Sequence, residues 1–392
     1  MKNIQVTPGG AGFAEQGTGR AYTPLGCNYF DPLTGWAPHI WQQFDAGRVK
    51  RHFAQMEELG VNTVRVFLTA ASFMDESGEL PEEGMVKADR MLAIAREHGI
   101  RVEFTGPDLW EGVPDWASAY FDGEANAFFL HDEWMDRLQR FWRQFAAHYR
   151  GEPALFSFDL LNEPWLKWDS PLLRKHWGGE PPAMEENAAA DGSAHERYQL
   201  LREQLVETWT AAMTGAIRES DPQRLITIGF HQLSLPHGAG QRHTLPGFHA
   251  AKLAHLLDYI ALHWYPYSST EHVQPRKDGD PVERNIAMIR SSLSNARAGK
   301  PLVIEEFGWY GGGEVFSWGE QLPFVTEEVQ TEWLRMVVEG TQDLACGWLT
   351  WGYADVPTAM DATRRSGLVD EAGKIKLWGS MFRRLSERIR SQ

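Results

Sequence analysis

The chain has almost no cysteine. Cys27 and Cys346 are its only two, and they lie far apart in the sequence. This spacing excludes a disulfide framework and any CxxC metal knuckle, so we expect two buried free thiols. The motifs HExxH, GxxxxGK[ST] and GxGxxG are also absent, which excludes the short signatures of zinc hydrolysis, P-loop phosphate binding and dinucleotide binding.

Long apolar runs are missing too. No stretch reaches the roughly 18 apolar residues of a membrane span, and the start MKNIQVTPGGAGFAEQG lacks the apolar segment of a secretory signal. We therefore expect a cytoplasmic protein without a membrane partner, although a chain whose signal peptide had been removed would look the same. Basic residues are outnumbered 38 to 53, and because the net charge of −15 repels phosphate backbones, we expect no nucleic acid partner.

What the chain does contain is ordinary globular material with an excess of tryptophan. Of its 392 residues 43% are hydrophobic and 23% charged, enough to build one large core. The 17 tryptophans suit two roles. An indole fills a core well, and it also stacks on the apolar face of a sugar ring.

Short apolar runs alternate with amphipathic stretches along the whole chain, as in parallel βα units. Eight strands are predicted, near residues 22–28, 61–68, 100–105, 154–161, 225–230, 259–264, 301–306 and 346–351. Helices are predicted between them, and the first two end at Gly60 and Gly99. We predict an α/β protein, a (β/α)₈ TIM barrel with elaborated loops at its C-terminal face, forming one domain over residues 1–392.

The least regular segment is residues 165–196, which follows the fourth strand and is rich in Pro, Gly and charge. A long loop there would lie above the C-terminal face, where barrel enzymes keep their active sites. Two interpretations stay open: the loop shapes a substrate cleft, or it is a disordered surface insertion.

A carboxylate ends the fourth strand. In ALFSFDLLNEPW an apolar run leads to Asn162 and Glu163, and Pro164 breaks the strand. At that place Glu163 would point into the barrel mouth, where burial raises a carboxyl pKa toward the value that a general acid needs. The alternative is a structural pair with an arginine of the barrel interior.

Two more carboxylates end the seventh strand, Glu305 and Glu306 in PLVIEEFGWYGGG. Because consecutive strand residues point to opposite faces, we expect only one of them to face the barrel mouth, and strand phase does not choose between them. A pair with Glu163 across the mouth suits glycosidic bond cleavage, with retention at a separation of about 5–5.5 Å and inversion at about 6.5–9.5 Å.

Other strand ends carry supporting groups. Arg65 lies inside the apolar second strand, where an ionised carboxylate is its natural partner, either the nucleophile or a structural partner elsewhere. His263 and Tyr265 share one face of the sixth strand and either bond the nucleophile or sugar or fill space as polar groups. Trp351 ends the eighth strand and is placed to stack under a sugar.

Together these residues resemble glycoside hydrolase family 5 and its wider clan A. The resemblance follows the strand ends from Arg65 to Trp351, through Asn-Glu-Pro, His-x-Tyr and Glu-Phe-Gly in that order. It implies Glu163 as acid/base and Glu306, rather than Glu305, as nucleophile, with retention of configuration. It also implies that Asn162 binds the sugar 2-hydroxyl. The supporting roles of the family would fall to Arg65, His263, Tyr265 and Trp351.

One departure bears on the substrate. Many cellulase-like members carry a His at the end of the third strand, whereas this chain offers Asp108 and Trp110. Mannan-active members often lack that His, so the departure favours a mannose-configured substrate over a cellulase assignment.

The sequence thus predicts a glycosidase that cleaves a β-linked hexose oligo- or polysaccharide, most simply a β-mannan or β-mannoside, without metal or organic cofactor. Exo- and endo-acting enzymes both stay open. The alternatives are a β-glucanase, β-glucosidase or β-galactosidase of the same clan, a transglycosylase, and a carbohydrate-binding barrel without catalysis. A minority of the loop tryptophans is expected to contact sugar: Trp36, Trp41, Trp110, Trp165, Trp168, Trp309 and Trp318.

Overall fold

Eight parallel strands close into a barrel. The computed structural model describes residues 1–34, 37–184, 193–235, 242–265, 281–317, 320–322 and 324–391. Each barrel strand pairs with the next in the chain, and the last closes the ring against the first. In chain order they are β4 (Leu25–Asn28), β5 (Thr63–Thr69), β6 (Arg101–Asp108), β7 (Leu155–Asn162), β8 (Leu225–Phe230), β9 (Ile260–Trp264), β10 (Leu302–Phe307) and β13 (Trp348–Thr350). The predicted (β/α)₈ barrel is confirmed.

Helices connect the strands and cover the barrel. The described ones are α1 (Ala46–Glu58), α2 (Ala70–Phe73), α3 (Glu82–Glu97), α4 (Ser118–Phe121), α5 (Ala127–Leu130), α6 (Asp132–His148), α7 (Pro171–Trp177), α8 (Ala194–Ser220), α9 (Ala250–Leu253), α10 (Pro281–Ala296), α11 (Glu327–Thr341) and α12 (Leu377–Arg390). Local chemistry sets their ends: the Asp45 carboxylate accepts the Arg48 N–H at the start of α1. Gly60, at φ +79°, adopts the left-handed backbone that follows this helix.

A small antiparallel sheet at the start of the chain was not predicted. It consists of β1 (Ile4–Val6), β2 (Phe13–Glu15) and β3 (Ala21–Tyr22). Its Phe13 and Tyr22 pack on Phe156 and Tyr259 of the barrel. The first predicted strand was therefore too long, because Tyr22 belongs to this sheet and the barrel strand begins at Leu25. A short hairpin of β11 (Phe316–Ser317) and β12 (Glu320–Gln321) follows β10.

Most of the core lies between the barrel and its helices, and several tryptophans serve only to fill it. Those that are almost fully buried are Trp41, Trp134, Trp142, Trp209, Trp309, Trp333 and Trp378. Both cysteines are free; Cys27 is buried as expected, whereas Cys346 is only partly buried. Among the described helices, none combines the length and the apolar character that crossing a membrane requires.

The described part of segment 165–196 is ordered on the barrel. The Leu166 N–H donates to the Pro246 carbonyl at 3.0 Å. The buried Arg202 guanidinium, on α8, donates to the carbonyls of Leu166 and Leu245 and stacks on Trp168. Residues 165–184 therefore form a packed segment that contains α7, and its role in shaping a cleft stays a prediction.

Candidate active site

Glu163 is held at the barrel mouth by a strained backbone. It follows β7 directly and is the only described non-glycine residue with positive φ, at +44°, a conformation that costs about 1–3 kcal/mol. Its N–H donates to the Gly229 carbonyl of β8 at 2.8 Å. The side chain keeps 30% of its surface exposed, and burial of the carboxyl group is the main cause that raises its pKa.

Glu305 and Glu306 both point into the barrel, so the alternation of faces assumed in the sequence analysis does not hold here, although only Glu306 reaches the mouth. The pairing of β10 with β9 shifts register between Ile304 and Glu306, which leaves Glu305 as an extra residue. Such a bulge interrupts the alternation of side chains. Glu305 is consequently buried deeper in the barrel, while Glu306 reaches the mouth with 7% of its side chain exposed.

His263 brings the two mouth carboxylates together. Its Nδ1 lies 3.0 Å from Glu163 Oε1 and 3.4 Å from Glu306 Oε2, and one oxygen of each glutamate lies within 4.8 Å of the other. Burial lowers the pKa of His263 to about 3, so the imidazole is neutral. The arrangement places two carboxyl groups and a neutral imidazole side by side at the barrel mouth.

Arg65 lies beneath these groups and is fully buried. Its Nη1 donates to Glu306 Oε2 at 3.0 Å, and its Nη2 donates to Asp159 Oδ2 at 2.7 Å and to Asn162 Oδ1 at 2.9 Å. Burial opposes the charge, but the surrounding carboxylates outweigh it and raise the pKa of Arg65. Arg65 therefore stays charged, and its hydrogen bonds orient Glu306 on β10 and Asn162 at the end of β7.

Tyr265 contacts the other oxygen of Glu306. Its hydroxyl donates a short hydrogen bond to Glu306 Oε1. Burial raises the pKa of Glu306, whereas Arg65 and this hydroxyl act in the opposite direction. Each oxygen of Glu306 thus has a donor, which suits a carboxylate that must stay ionised in a buried site.

An aromatic wall borders the carboxylates. The Trp351 indole packs edge-to-face on Phe67 with 5.9 Å between ring centroids, and Trp110 stacks on the same phenyl ring at 5.0 Å. Thr363 accepts the Trp351 Nε1–H at 2.8 Å, which sets the ring plane. Trp165 is half-buried beside His231 at 5.8 Å. Aromatic faces of this kind suit the apolar side of a sugar ring.

Asp108 is the last residue of β6. Its Oδ1 accepts the Trp110 N–H at 2.9 Å, and its Oδ2 is buried with no partner among the described residues. Burial raises the pKa of Asp108 to about 8. The group is therefore a neutral acid at pH 7.

Two of the loop tryptophans lie in the core, and a third has one of its faces covered. Trp41 is 0% exposed and Trp309 2%, so both are core residues. One face of Trp168 is covered by the Arg202 guanidinium at 5.0 Å. Because these tryptophans follow predicted strands, the sequence suggested that they line the barrel mouth, but their side chains pack against other parts of the protein. Trp36 and Trp318 lie outside the described residues.

Several residues around Arg65 escaped the sequence analysis. Glu103 on β6 and Asp159 on β7 are buried ion-pair partners of Arg65, and Asn28 Oδ1 accepts its Nη1–H at 2.9 Å. Gly229 leaves room for the cluster, since a methyl group there would lie 2.7 Å from Arg65 Nη2. Asp159 and Glu103 carry the signal that identified Arg65, a charge inside an apolar strand.

Two clusters of three side chains have the spacing of metal ligands, with one oxygen or nitrogen of each member within 4.8 Å of the others. They are Glu163, His263 and Glu306, and Glu103, Asp159 and Glu305. Arg65 forms ion pairs with Glu306 of the first cluster and with all three members of the second.

Comparison with known proteins agrees with this fold. The chain is 21% identical over 238 residues to a probable mannan endo-1,4-β-mannosidase F of Aspergillus flavus, which covers 59% of this chain and 43% of that protein. The chain thus spans less than half the length of that relative. It is 29% identical over 158 residues to a β-xylosidase of Phanerodontia chrysosporium, covering 36% of this chain and 32% of that one.

Solved structures with the same barrel include two mannoside-active proteins. The exo-β-1,4-mannosidase Op5Man5 of an Opitutaceae bacterium superposes with a TM-score of 0.69 at 22% identity, covering 98% of this chain and 62% of that chain. The endo-1,4-β-mannanase of Rhizomucor miehei gives a TM-score of 0.68 at 16% identity and covers 100% of both chains. At these identities the likeness supports the fold.

The sequence matches the family described as Cellulase (glycosyl hydrolase family 5) over residues 25–355. That range begins at Leu25, with the first barrel strand, and ends at Asp355, shortly after the last. Because the match takes in the whole barrel, the chain belongs to glycosyl hydrolase family 5.

Proposed function

We propose that this protein hydrolyses β-mannosidic bonds with retention of configuration. Glu306 attacks the anomeric carbon while Glu163 protonates the departing oxygen. Water then displaces Glu306 from the glycosyl-enzyme, with Glu163 taking the proton of that water.

The observation that carries the proposal is the spacing of the two glutamates. One oxygen of each lies within 4.8 Å of the other, which agrees with the roughly 5–5.5 Å of retaining enzymes and leaves too little room for the water of an inverting one. The different surroundings of the two groups support their different roles. Glu306 has a donor on each oxygen, whereas Glu163 is more exposed and has a raised pKa.

Mannose specificity is supported by the similar proteins and by the residues at the end of β6. The curated relatives include proteins named mannan endo-1,4-β-mannosidases, and a structural neighbour from Bifidobacterium longum was solved in complex with Manβ1-4GlcNAc. Asp108 and Trp110 take the place of the cellulase-type histidine at the end of β6.

The experiment uses a panel of aryl β-glycosides and β-glycans with wild-type enzyme, Glu306→Ala, Glu163→Ala and the control Glu314→Gln, whose carboxylate is exposed in the loop after β10. Wild type and control should hydrolyse β-mannosides, and the activity of the two alanine variants should be at least about 100-fold lower. Full activity in Glu306→Ala would refute the nucleophile, and preference for another sugar would refute the substrate.

Added azide separates the two roles. In Glu163→Ala, azide displaces Glu306 from the glycosyl-enzyme and gives a β-glycosyl azide. In Glu306→Ala, azide occupies the place of the missing nucleophile, attacks the opposite face and gives an α-glycosyl azide. The reverse pattern of products would exchange the two assignments.

A further inference from the structure

The barrel interior below the site holds more carboxyl groups than positive charges. Glu103, Asp159, Glu305 and Glu306 are all buried. Among the described residues, Arg65 is the only lysine or arginine within ion-pair distance of any of them. Four ionised carboxylates around one guanidinium would leave three uncompensated buried charges, which burial penalises heavily. At least one of the four therefore carries a proton.

Asp159 and Glu306 are less suited to carry that proton, because hydrogen-bond donors point at both oxygens of each. Asp159 accepts five hydrogen bonds: from the Nε and Nη2 of Arg65, from the Thr105 hydroxyl, and from the N–H groups of Gly229 and Leu161. Burial raises the pKa of Asp159 to about 7, yet both its oxygens face donors only. Glu306 likewise has a donor on each oxygen.

Glu103 and Glu305 do have a place for it. Glu103 Oε2 accepts hydrogen bonds from the hydroxyls of Ser157 and Tyr259, and Glu305 Oε2 faces His263 Nε2 at 3.2 Å. The remaining oxygen of each carboxyl group, Oε1, is buried with no donor in the described part of the chain. One carboxyl oxygen of Glu103 lies within 4.8 Å of one of Glu305. Burial and the charge of Glu103 raise the pKa of Glu305 well above its ordinary value. Two neighbouring carboxyl groups can hydrogen-bond to each other once one of them is protonated.

We propose that Glu305 is a neutral positioning residue, which shares its proton with Glu103 and uses its other oxygen to accept the Nε2 proton of His263. The neutral imidazole has one proton only, so Nδ1 is left as an acceptor. Nδ1 lies 3.0 Å from Glu163 Oε1. The protonated form of Glu163 donates to it, which holds the acid in place before reaction. The consequence for Glu163 rests on its proposed role as acid, whereas the proton on Glu305 does not.

Infrared spectroscopy tests the proton. Glu305→Gln keeps the shape and the hydrogen-bond pattern of a neutral carboxylic acid, because its amide N–H₂ faces Glu103 and its carbonyl faces His263. The difference spectrum of wild type minus Glu305→Gln at neutral pH should contain the carbonyl band of a protonated carboxylic acid. Asp108 and Glu163 are common to both proteins and cancel. A difference spectrum that contains only carboxylate bands would overturn the inference, whatever the enzyme hydrolyses.

The pH profile of kcat/KM on an aryl β-mannoside tests the tautomer. Glu305→Gln should keep the basic limb where wild type has it. In Glu305→Leu the proton of His263 can move to Nδ1, and the Nδ1–H then donates to the Glu163 carboxylate. The basic limb should therefore move about one unit toward lower pH. The value of kcat/KM should fall by about 10- to 100-fold. The groups that face this network are Glu103, Asp159, Glu163, Glu306, Arg65, His231, Tyr259 and Tyr265.

Two outcomes would overturn the tautomer assignment. One is a basic limb that moves in Glu305→Gln, and the other is a limb that stays in place in a folded Glu305→Leu. Folding of the leucine variant is checked by its thermal unfolding. Hydrolysis of β-mannosides by wild type would leave the proposed function standing in either case, so the two proposals fail separately.

Discussion

Replacement of Tyr265 by phenylalanine removes one hydroxyl from the site and little else. That hydroxyl donates to Glu306 Oε1, and the Glu306 side chain is only 7% exposed, so water cannot readily replace it. A hydrogen bond to a charged group contributes about 1.5–3 kcal/mol. At about 1.4 kcal/mol per pKa unit, its loss should raise the pKa of Glu306 by about one to two units.

The acidic limb of the kcat/KM profile reports this change, because Glu306 attacks only when ionised. In Tyr265→Phe the limb should move to higher pH by about one to two units. Below the limb the rate should fall about tenfold per unit. Tyr353→Phe is the matched control, since it removes another buried hydroxyl whose partner is Gln55 rather than a carboxylate. Coincident acidic limbs for wild type and Tyr265→Phe would refute the reasoning.

Three further outcomes are expected. Gly229→Ala places a methyl group 2.7 Å from the Arg65 guanidinium and 2.8 Å from the His263 imidazole, so kcat/KM should fall at least about tenfold. In the control Gly215→Ala the new methyl group meets no atom within 4 Å, and urea unfolding should show that α8 is stabilised by about 0.5–1 kcal/mol. Asp108, with its pKa raised to about 8, keeps a proton in the folded protein that the unfolded chain releases near pH 4. Wild type should therefore lose up to about 4 kcal/mol of unfolding free energy between pH 5 and 8, whereas Asp108→Asn should not. Parallel curves of stability against pH for the two proteins would contradict this. Trp165→Ala should raise KM with little change in melting temperature, whereas Trp41→Ala should cost about 3–5 kcal/mol of stability.

The choice between Glu305 and Glu306 shows where sequence reasoning reached its limit. Strand alternation predicts that one side chain faces inward, but the register shift in β10 turns both into the barrel. A bulge depends on pairing with the neighbouring strands, and five or six residues of one strand do not reveal it. The likeness to glycoside hydrolase family 5 selected Glu306 where the strand pattern alone had left both open.

Tryptophan placement shows the same limit. Trp41 and Trp351 both follow barrel strands in the sequence, yet Trp41 packs edge-to-face on Phe73 at 4.9 Å in the core, whereas Trp351 lines the mouth beside Phe67. Loop conformation decides which way an indole points, and apolar periodicity carries no information about it.

The sequence by itself determined the barrel, because alternating apolar strands and amphipathic helices repeat eight times and each pattern reflects burial on one local element. It also determined that charges stand at strand ends, since Arg65, Glu163 and Glu306 interrupt or close apolar runs. Only the tertiary structure decided that these charges share one site. The closeness of Glu163 and Glu306, with one oxygen of each within 4.8 Å of the other, the inward turn of Glu305 and the excess of carboxylates around Arg65 all depend on ring closure. Ring closure brings Arg65 into contact with Glu306, 241 positions away in the sequence.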